Sequence, residues 1–142
     1  MADILHSLQI SAPPETVHRL VSTAEGFRQW WAEDVSENAG AVDLGFFNRT
    51  TLYRLRPQPS STPSRIEWSV ETGQEWAGTR LNFQLDPAGA DTLLRFTHAG
   101  WAAPTDYFVS CNTVWGELMF RLKAAAEGAG RGPLFAANAL SH

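Results

Sequence analysis

His98 and His6 have the widest chemical reach of any side chains in this sequence, because a neutral imidazole accepts, donates or shuttles a proton near neutral pH. His98 alternates with Leu94 and Phe96, and His6 with Ile4, Leu8 and Ile10, so strands at these places would turn both rings inward. Facing one cavity, the two would make a general acid and base. The alternative is a pair of core histidines tied to backbone carbonyls, since buried polar groups are ordinarily paired. Tyr53 and Trp68 come next: a buried phenol or indole N–H needs a partner, and a ligand can supply one. Asn112 and Gly116, one helical turn apart, form a polar notch at the edge of an apolar stripe. An interior Gly costs roughly 1 kcal/mol against Ala, so either a bulky neighbour or a ligand is expected against the backbone there.

Other chemistry is missing from the sequence. It has no His-Glu-x-x-His, no Gly-x-Ser-x-Gly, no phosphate-binding Gly-rich loop and no histidine spacing for zinc. This weighs against an enzyme, and no metal or cofactor is expected. Cys111 is the single cysteine, which excludes an intrachain disulfide, and it falls on the apolar stripe as a small core hydrophobe. A net charge of −4 and scattered basic residues argue against nucleic acid as a partner. No segment reaches the ~20 apolar residues of a membrane span, and the first residues lack a signal peptide's layout, so a cytoplasmic location is expected. At 142 residues and 44% hydrophobic composition the chain suits one domain with a substantial core.

The longest element expected is a helix within Pro104–Gly128. Phe108, Cys111, Trp115, Leu118, Leu122 and Ala125 recur at steps of three and four, and Tyr107, Val114 and Met119 widen the stripe. Thr105 suits the N-cap, Asp106 the positive end of the dipole and Gly128 the left-handed C′ position. Ahead of it, residues 4–11 read as a strand, Pro13-Pro14-Glu15 opens a short helix, and a second helical segment runs from Ala24 to the pair Trp30-Trp31. From Asp34 to Gly100 short alternating runs predict antiparallel strands, with Asn48-Arg49 as a turn, Pro57–Pro63 as a loop, a connection at Gly73–Gly78 carrying Trp76, and a hairpin at Asp86–Gly89. A one-faced sheet needs a cover, and only the last helix is long enough. The apolar tail Gly132–Leu140 would cover Val109 and Phe120 or meet another subunit, making a homodimer possible.

The opening Ile10-x-Ala12-Pro13-Pro14-Glu15-x-Val17, the Trp30-Trp31 pair, Thr97-His98-x-Gly100-Trp101 and the late Trp115-x-x-Leu118-x-x-x-Leu122-Lys123 resemble the START-like, or SRPBCC, superfamily. Within it the chain is most similar to the group like the C-terminal domain of the activator of heat shock protein 90 ATPase. The resemblance runs from Ile4 to about Ala126, so residues 1–142 are expected to form a single such domain with a core at about 4–127 and a tail at 128–142. It departs from the group at Ala39-Gly40, where Gly-Gly is common, and in the Pro-rich loop at 57–63.

The resemblance implies an α+β helix-grip fold, START-like and birch-pollen-allergen-like: an antiparallel sheet curved around a long C-terminal helix with a mostly apolar cavity between them. It implies a small, largely apolar ligand there, a lipid, aromatic or polyketide-like molecule. The residues expected to hold it are His98, Tyr53, Trp68, Asn112, Trp115, Phe96, Met119 and His6. Two alternatives accompany this reading. One is a chaperone-interacting activator of heat shock protein 90 ATPase type, although the eukaryotic activator's partner contacts involve a further N-terminal domain. The other is a cyclase, dehydratase or hydrolase using the cavity histidines.

Overall fold

The computed structural model describes residues 2–47, 49–60 and 62–136. In chain order the elements are β1 (Ala2–Ile10), α1 (Pro14–Val21), α2 (Ala24–Arg28), β2 (Asp34–Asn38), β3 (Ala41–Phe46), β4 (Thr51–Gln58), β5 (Arg65–Thr72), β6 (Arg80–Ala88), β7 (Asp91–Trp101) and α3 (Asp106–Ala126). Among the described residues seven strands form one antiparallel sheet in the order β1-β7-β6-β5-β4-β3-β2. The first two strands in sequence are therefore the two edges. α1 and α2 carry the chain from one edge to the other, and every later connection is between neighbours. α3 covers the sheet's inner face, giving the helix-grip architecture that the resemblance implies.

Local sequence explains the boundaries. Thr105 caps α3 by accepting a hydrogen bond from the Phe108 amide at 3.2 Å. At the other end Gly128 adopts φ +83°, and the amides of Gly128 and Ala129 reach back to the carbonyls of Ala125 and Ala124. Cys111, Trp115, Leu118, Met119 and Leu122 are the buried face of α3, as the three-four spacing predicts. α2 stops at Arg28, three residues short of the expected end, and Trp30 and Trp31 follow in a turn that buries both rings. β4 runs on through Pro57 and Gln58, which the sequence assigns to a loop.

Two indoles fix the packing of α1 against the sheet. Trp30 Nε1 donates to the Leu20 carbonyl at 2.8 Å, and Trp68 Nε1 to the Val21 carbonyl at 2.9 Å. Carbonyls at a helix C-terminus have no partner within the helix, so these bonds satisfy groups that would otherwise be buried at a cost. Gly26 lets α2 approach α1, because a Cβ there would run into the backbone of Arg19 and Leu20.

The described part of the tail does not take the route over Val109 and Phe120 expected for it. Phe135 N donates to the Trp31 carbonyl at 3.0 Å, Glu33 N donates to the Phe135 carbonyl at 2.9 Å, and the Phe135 ring stands edge-on to Phe46 at 5.0 Å. The tail thus closes against the Trp31 turn and the β3–β4 hairpin, while Val109 and Phe120 stay exposed. An apolar ring finds more surface to bury among Phe46, Phe47 and Trp31 than on the outer side of α3, where charged residues such as Glu117 and Arg121 stand. The part of the expected tail after Ala136 lies outside the described residues.

Candidate functional site

A cavity of about 80 Å³ lies between the first half of α3 and the β3–β4 hairpin. One stripe of α3 supplies Tyr107, Cys111, Trp115 and Leu118, the hairpin supplies Phe46 and Tyr53, and Trp31 and Trp76 complete the floor. Phe47, Thr51, Ser110, Val114 and Phe135 form its rim. Larger hollows elsewhere, such as the groove of about 490 Å³ between α1 and Pro63–Ser64, are open surface without converging buried polar groups. The cavity under α3 has such groups, which makes it the better candidate.

Trp76 is its central piece, and it comes from a turn rather than a strand. Its ring is stacked face to face on Tyr53, with centroids 4.1 Å apart and planes 5° from parallel, and lies nearly parallel to Trp115 on the other side at 5.9 Å. The turn is anchored at several points. Thr105 donates to the Glu75 carboxylate at 2.5 Å, the Thr79 hydroxyl donates to the Trp76 carbonyl at 2.5 Å, and Gly78 N bonds to the Val70 carbonyl at 2.9 Å. Gly73 is required for the stack, because it sits at φ +126° and a Cβ there would fall inside the Tyr53 ring.

The sheet places His98 behind this floor. Trp115 Nε1 donates to His98 Nδ1 at 3.1 Å, and an indole nitrogen can only donate, so the neutral ring carries its proton on Nε2. That proton goes to Thr79 Oγ1 at 2.8 Å, which passes its own to the Trp76 carbonyl. Burial pushes the His98 pKa down to about 3, keeping it neutral. The buried and half-buried residues of the cavity wall carry the hydroxyls of Tyr53 and Tyr107, which are hydrogen-bonded to each other, the Cys111 thiol and, just beneath the surface, the Trp76 N–H. Burial raises all three acidic groups, Tyr107 to about 12 and Tyr53 and Cys111 upward as well, so each stays protonated.

Of the residues singled out in the sequence, Tyr53 and Trp115 line the cavity together. His98 is turned inward as expected but its ring nitrogens are taken by Thr79 and Trp115, so it supports the wall from behind. Trp68 gives its N–H to α1, and Phe96 and Met119 are buried in the core away from the cavity. Asn112 is exposed, so the polar notch is not part of the interior. His6 stands against the middle of α3 and does not line the cavity: its Cε1 would lie 3.7 Å from a Cβ built on Gly116, an ordinary contact, and its Nε2 has no hydrogen-bond partner among the described residues. The two histidines therefore do not meet in this cavity. Trp76, Tyr107, Cys111 and Phe135 were not among the expected site residues. The one signal for Trp76 was a large aromatic placed in a connection between Gly73 and Gly78, where a ring that size needs somewhere to bury.

Comparison with known proteins accords with this architecture. A Colwellia psychrerythraea protein, solved in solution as an Aha1 dimer, is 28% identical and superposes with a TM-score of 0.79 over 91% of this chain and 98% of that one. A Chromobacterium violaceum protein (21% identity, TM-score 0.72, 88% and 96% of the two chains) and a Staphylococcus saprophyticus protein (16%, 0.70, 91% and 94%) share the fold. No curated protein matches the sequence significantly. The family model described as Activator of Hsp90 ATPase homolog 1-like protein matches residues 11–127, and the chain belongs to that family.

Proposed function

We propose that the protein binds a small, uncharged, largely apolar molecule in the cavity under the first half of α3. The observation that carries this reading is an aromatic chamber whose described wall residues include no charged side chain, with polar groups of Tyr53, Tyr107, Trp76 and Cys111 buried or half-buried in that wall. Its volume of about 80 Å³ limits the guest. Drug-sized pockets run to ~300–1,000 Å³ and an apolar cavity of ~150 Å³ takes benzene, so a long-chain lipid or multi-ring polyketide does not fit inside. A guest of a few heavy atoms fits, or the apolar head of a larger one whose remainder leaves between Thr51, Ser110 and Val114. Titration with small cyclic probes, followed through the indole N–H resonances of Trp76 and Trp115, tests it. Saturable shifts confined to these rings and to Tyr53 and Tyr107 are expected; no shift at millimolar probe would overturn the reading.

A second reading is favoured by the family description and by the dimeric Aha1 relative: a homodimeric partner of an Hsp90-type ATPase. Val109 and Phe120, exposed on the outer side of α3, offer apolar surface for such contacts. Sedimentation equilibrium and an ATPase assay with an Hsp90 homologue decide it. A monomer that leaves turnover unchanged would remove this reading.

A further inference from the structure

We infer that the guest of the α3 cavity presents a neutral hydrogen-bond acceptor, a carbonyl oxygen, to the Trp76 indole N–H and the Tyr53–Tyr107 hydroxyl pair. This ligand class presupposes that the cavity binds a guest at all, as proposed above. It follows from an imbalance between donors and acceptors in the wall.

Trp76 is 5% exposed, and its Nε1 has no hydrogen-bond partner among the described residues. An indole nitrogen donates and never accepts, so the missing partner is an acceptor. The Cys111 thiol feels this N–H, but sulfur is a weak acceptor and no hydrogen bond of regular geometry joins the two. The tyrosine pair adds a second donor. Two hydroxyls that bond to each other use one of their two protons, which leaves one O–H over, and neither Tyr53 nor Tyr107 has a carbonyl or carboxylate partner among the described residues. Cys111 is again the group beside it. Two donors thus converge on one soft sulfur; the Trp76 N–H exposes no surface to the cavity as it stands, so a guest oxygen meets both donors by taking the place of that sulfur as the Cys111 side chain turns aside. Leaving a buried donor unmade costs roughly 1–3 kcal/mol, so filling it selects for guests that carry the oxygen.

Charge narrows the class further. Among the described residues the wall holds no cation to balance an anionic guest and no carboxylate to balance a cationic one. The same burial that keeps Tyr53, Tyr107 and Cys111 protonated disfavours any ion placed beside them. A ketone, aldehyde or ester meets both conditions; a hydrocarbon lacks the acceptor, and a carboxylate has the oxygen but brings a charge.

Two probes of one shape, cyclopentanone and methylenecyclopentane, and a larger anionic one, cyclopentanecarboxylate, titrated into the ¹⁵N-labelled protein, test this. Cyclopentanone is expected to bind roughly fivefold to tenfold more tightly than methylenecyclopentane, and to move the Trp76 Nε1–H resonance downfield. Trp76→Phe and Tyr107→Phe should each erase most of that preference while still admitting the hydrocarbon. The downfield shift is read in the unaltered protein, so a variant that fails to fold does not leave the matter open. Equal affinity for ketone and hydrocarbon would overturn the acceptor assignment and leave the binding reading standing. Preference for the carboxylate would overturn neutrality, and failure of all three probes would overturn the binding reading together with this one.

Discussion

The Trp115 indole gives its proton to His98 Nδ1 at 3.1 Å, joining the middle of α3 to the centre of β7 through the core. The direction of that one bond fixes those that follow: His98 Nε2–H to Thr79, then the Thr79 hydroxyl to the Trp76 carbonyl. Every N–H and O–H donor along this chain of side chains is used and points one way, so it holds both the helix and the Trp76 turn in one arrangement. Protonating His98 would set an N–H against the Trp115 N–H.

Acid should therefore unfold the protein through His98. The unfolded ring titrates near 6.5 and the folded ring near 3, so between these values the unfolded chain binds more protons and stability rises with pH. The contribution is full above about pH 6.5 and is lost as pH falls toward 3; over that span it amounts to on the order of 4 kcal/mol. His98→Gln, which keeps a donor and an acceptor but does not titrate, should be less stable at neutral pH by about 1–3 kcal/mol and should show a flatter acid limb. Urea titrations of both proteins at several pH values check this, and parallel acid limbs would refute it.

Periodicity made the architecture legible and left the site half hidden. The stripe on α3, the alternation of Leu94, Phe96 and His98, and the caps at Thr105 and Gly128 all carry a repeat or a stereochemical signature, and the chain formed those elements accordingly. Tyr53 and Trp115, which line the cavity, each sit on such a repeat. Trp76 sits on none, and its place was decided by Gly73, Thr79 and Thr105, contacts that exist only after folding. Phe135 was likewise invisible, since its burial depends on backbone bonds to Trp31 and Glu33, 104 and 102 positions earlier in the chain. Alternation turns His98 inward, but whether an inward group meets a void or a neighbour is set by the packing of three elements at once.

Gly73→Ala should damage the cavity although Gly73 itself is not part of its wall. The new methyl group would occupy the Tyr53 ring position and hold the backbone at a φ of +126°, unfavourable for any residue with a Cβ. A loss of about 1–3 kcal/mol is expected, together with loss of the stacked Tyr53–Trp76 arrangement. Near-ultraviolet circular dichroism reads the stack and chemical denaturation reads the stability; an unchanged aromatic spectrum would refute the account.

Gly116→Ala should act in the opposite sense. The sequence made this interior glycine look like a site of close approach, but a Cβ there meets only His6 Cε1 at 3.7 Å. With no steric cost, the gain is the helix propensity of Ala over Gly, about 0.5–1 kcal/mol. A higher urea midpoint at unchanged slope would confirm it. Destabilisation would mean that the backbone at this turn of α3 is reserved for something else.

Phe135→Ala tests whether the tail is a wall of the cavity or only an ornament on its rim. The ring is buried edge-on against Phe46 at 5.0 Å and near Phe47 at 5.9 Å, so its removal should cost about 2–4 kcal/mol and leave the chamber open on that side. The backbone bonds of residue 135 to Trp31 and Glu33 need no side chain and should keep the tail in place. A guest too large for about 80 Å³, such as naphthalene, should then enter the variant and not the unaltered protein. Displacement of naphthalene by cyclopentanone would place both in the same chamber. If naphthalene binds the two proteins equally, its site lies elsewhere and Phe135 does not limit the size of the guest.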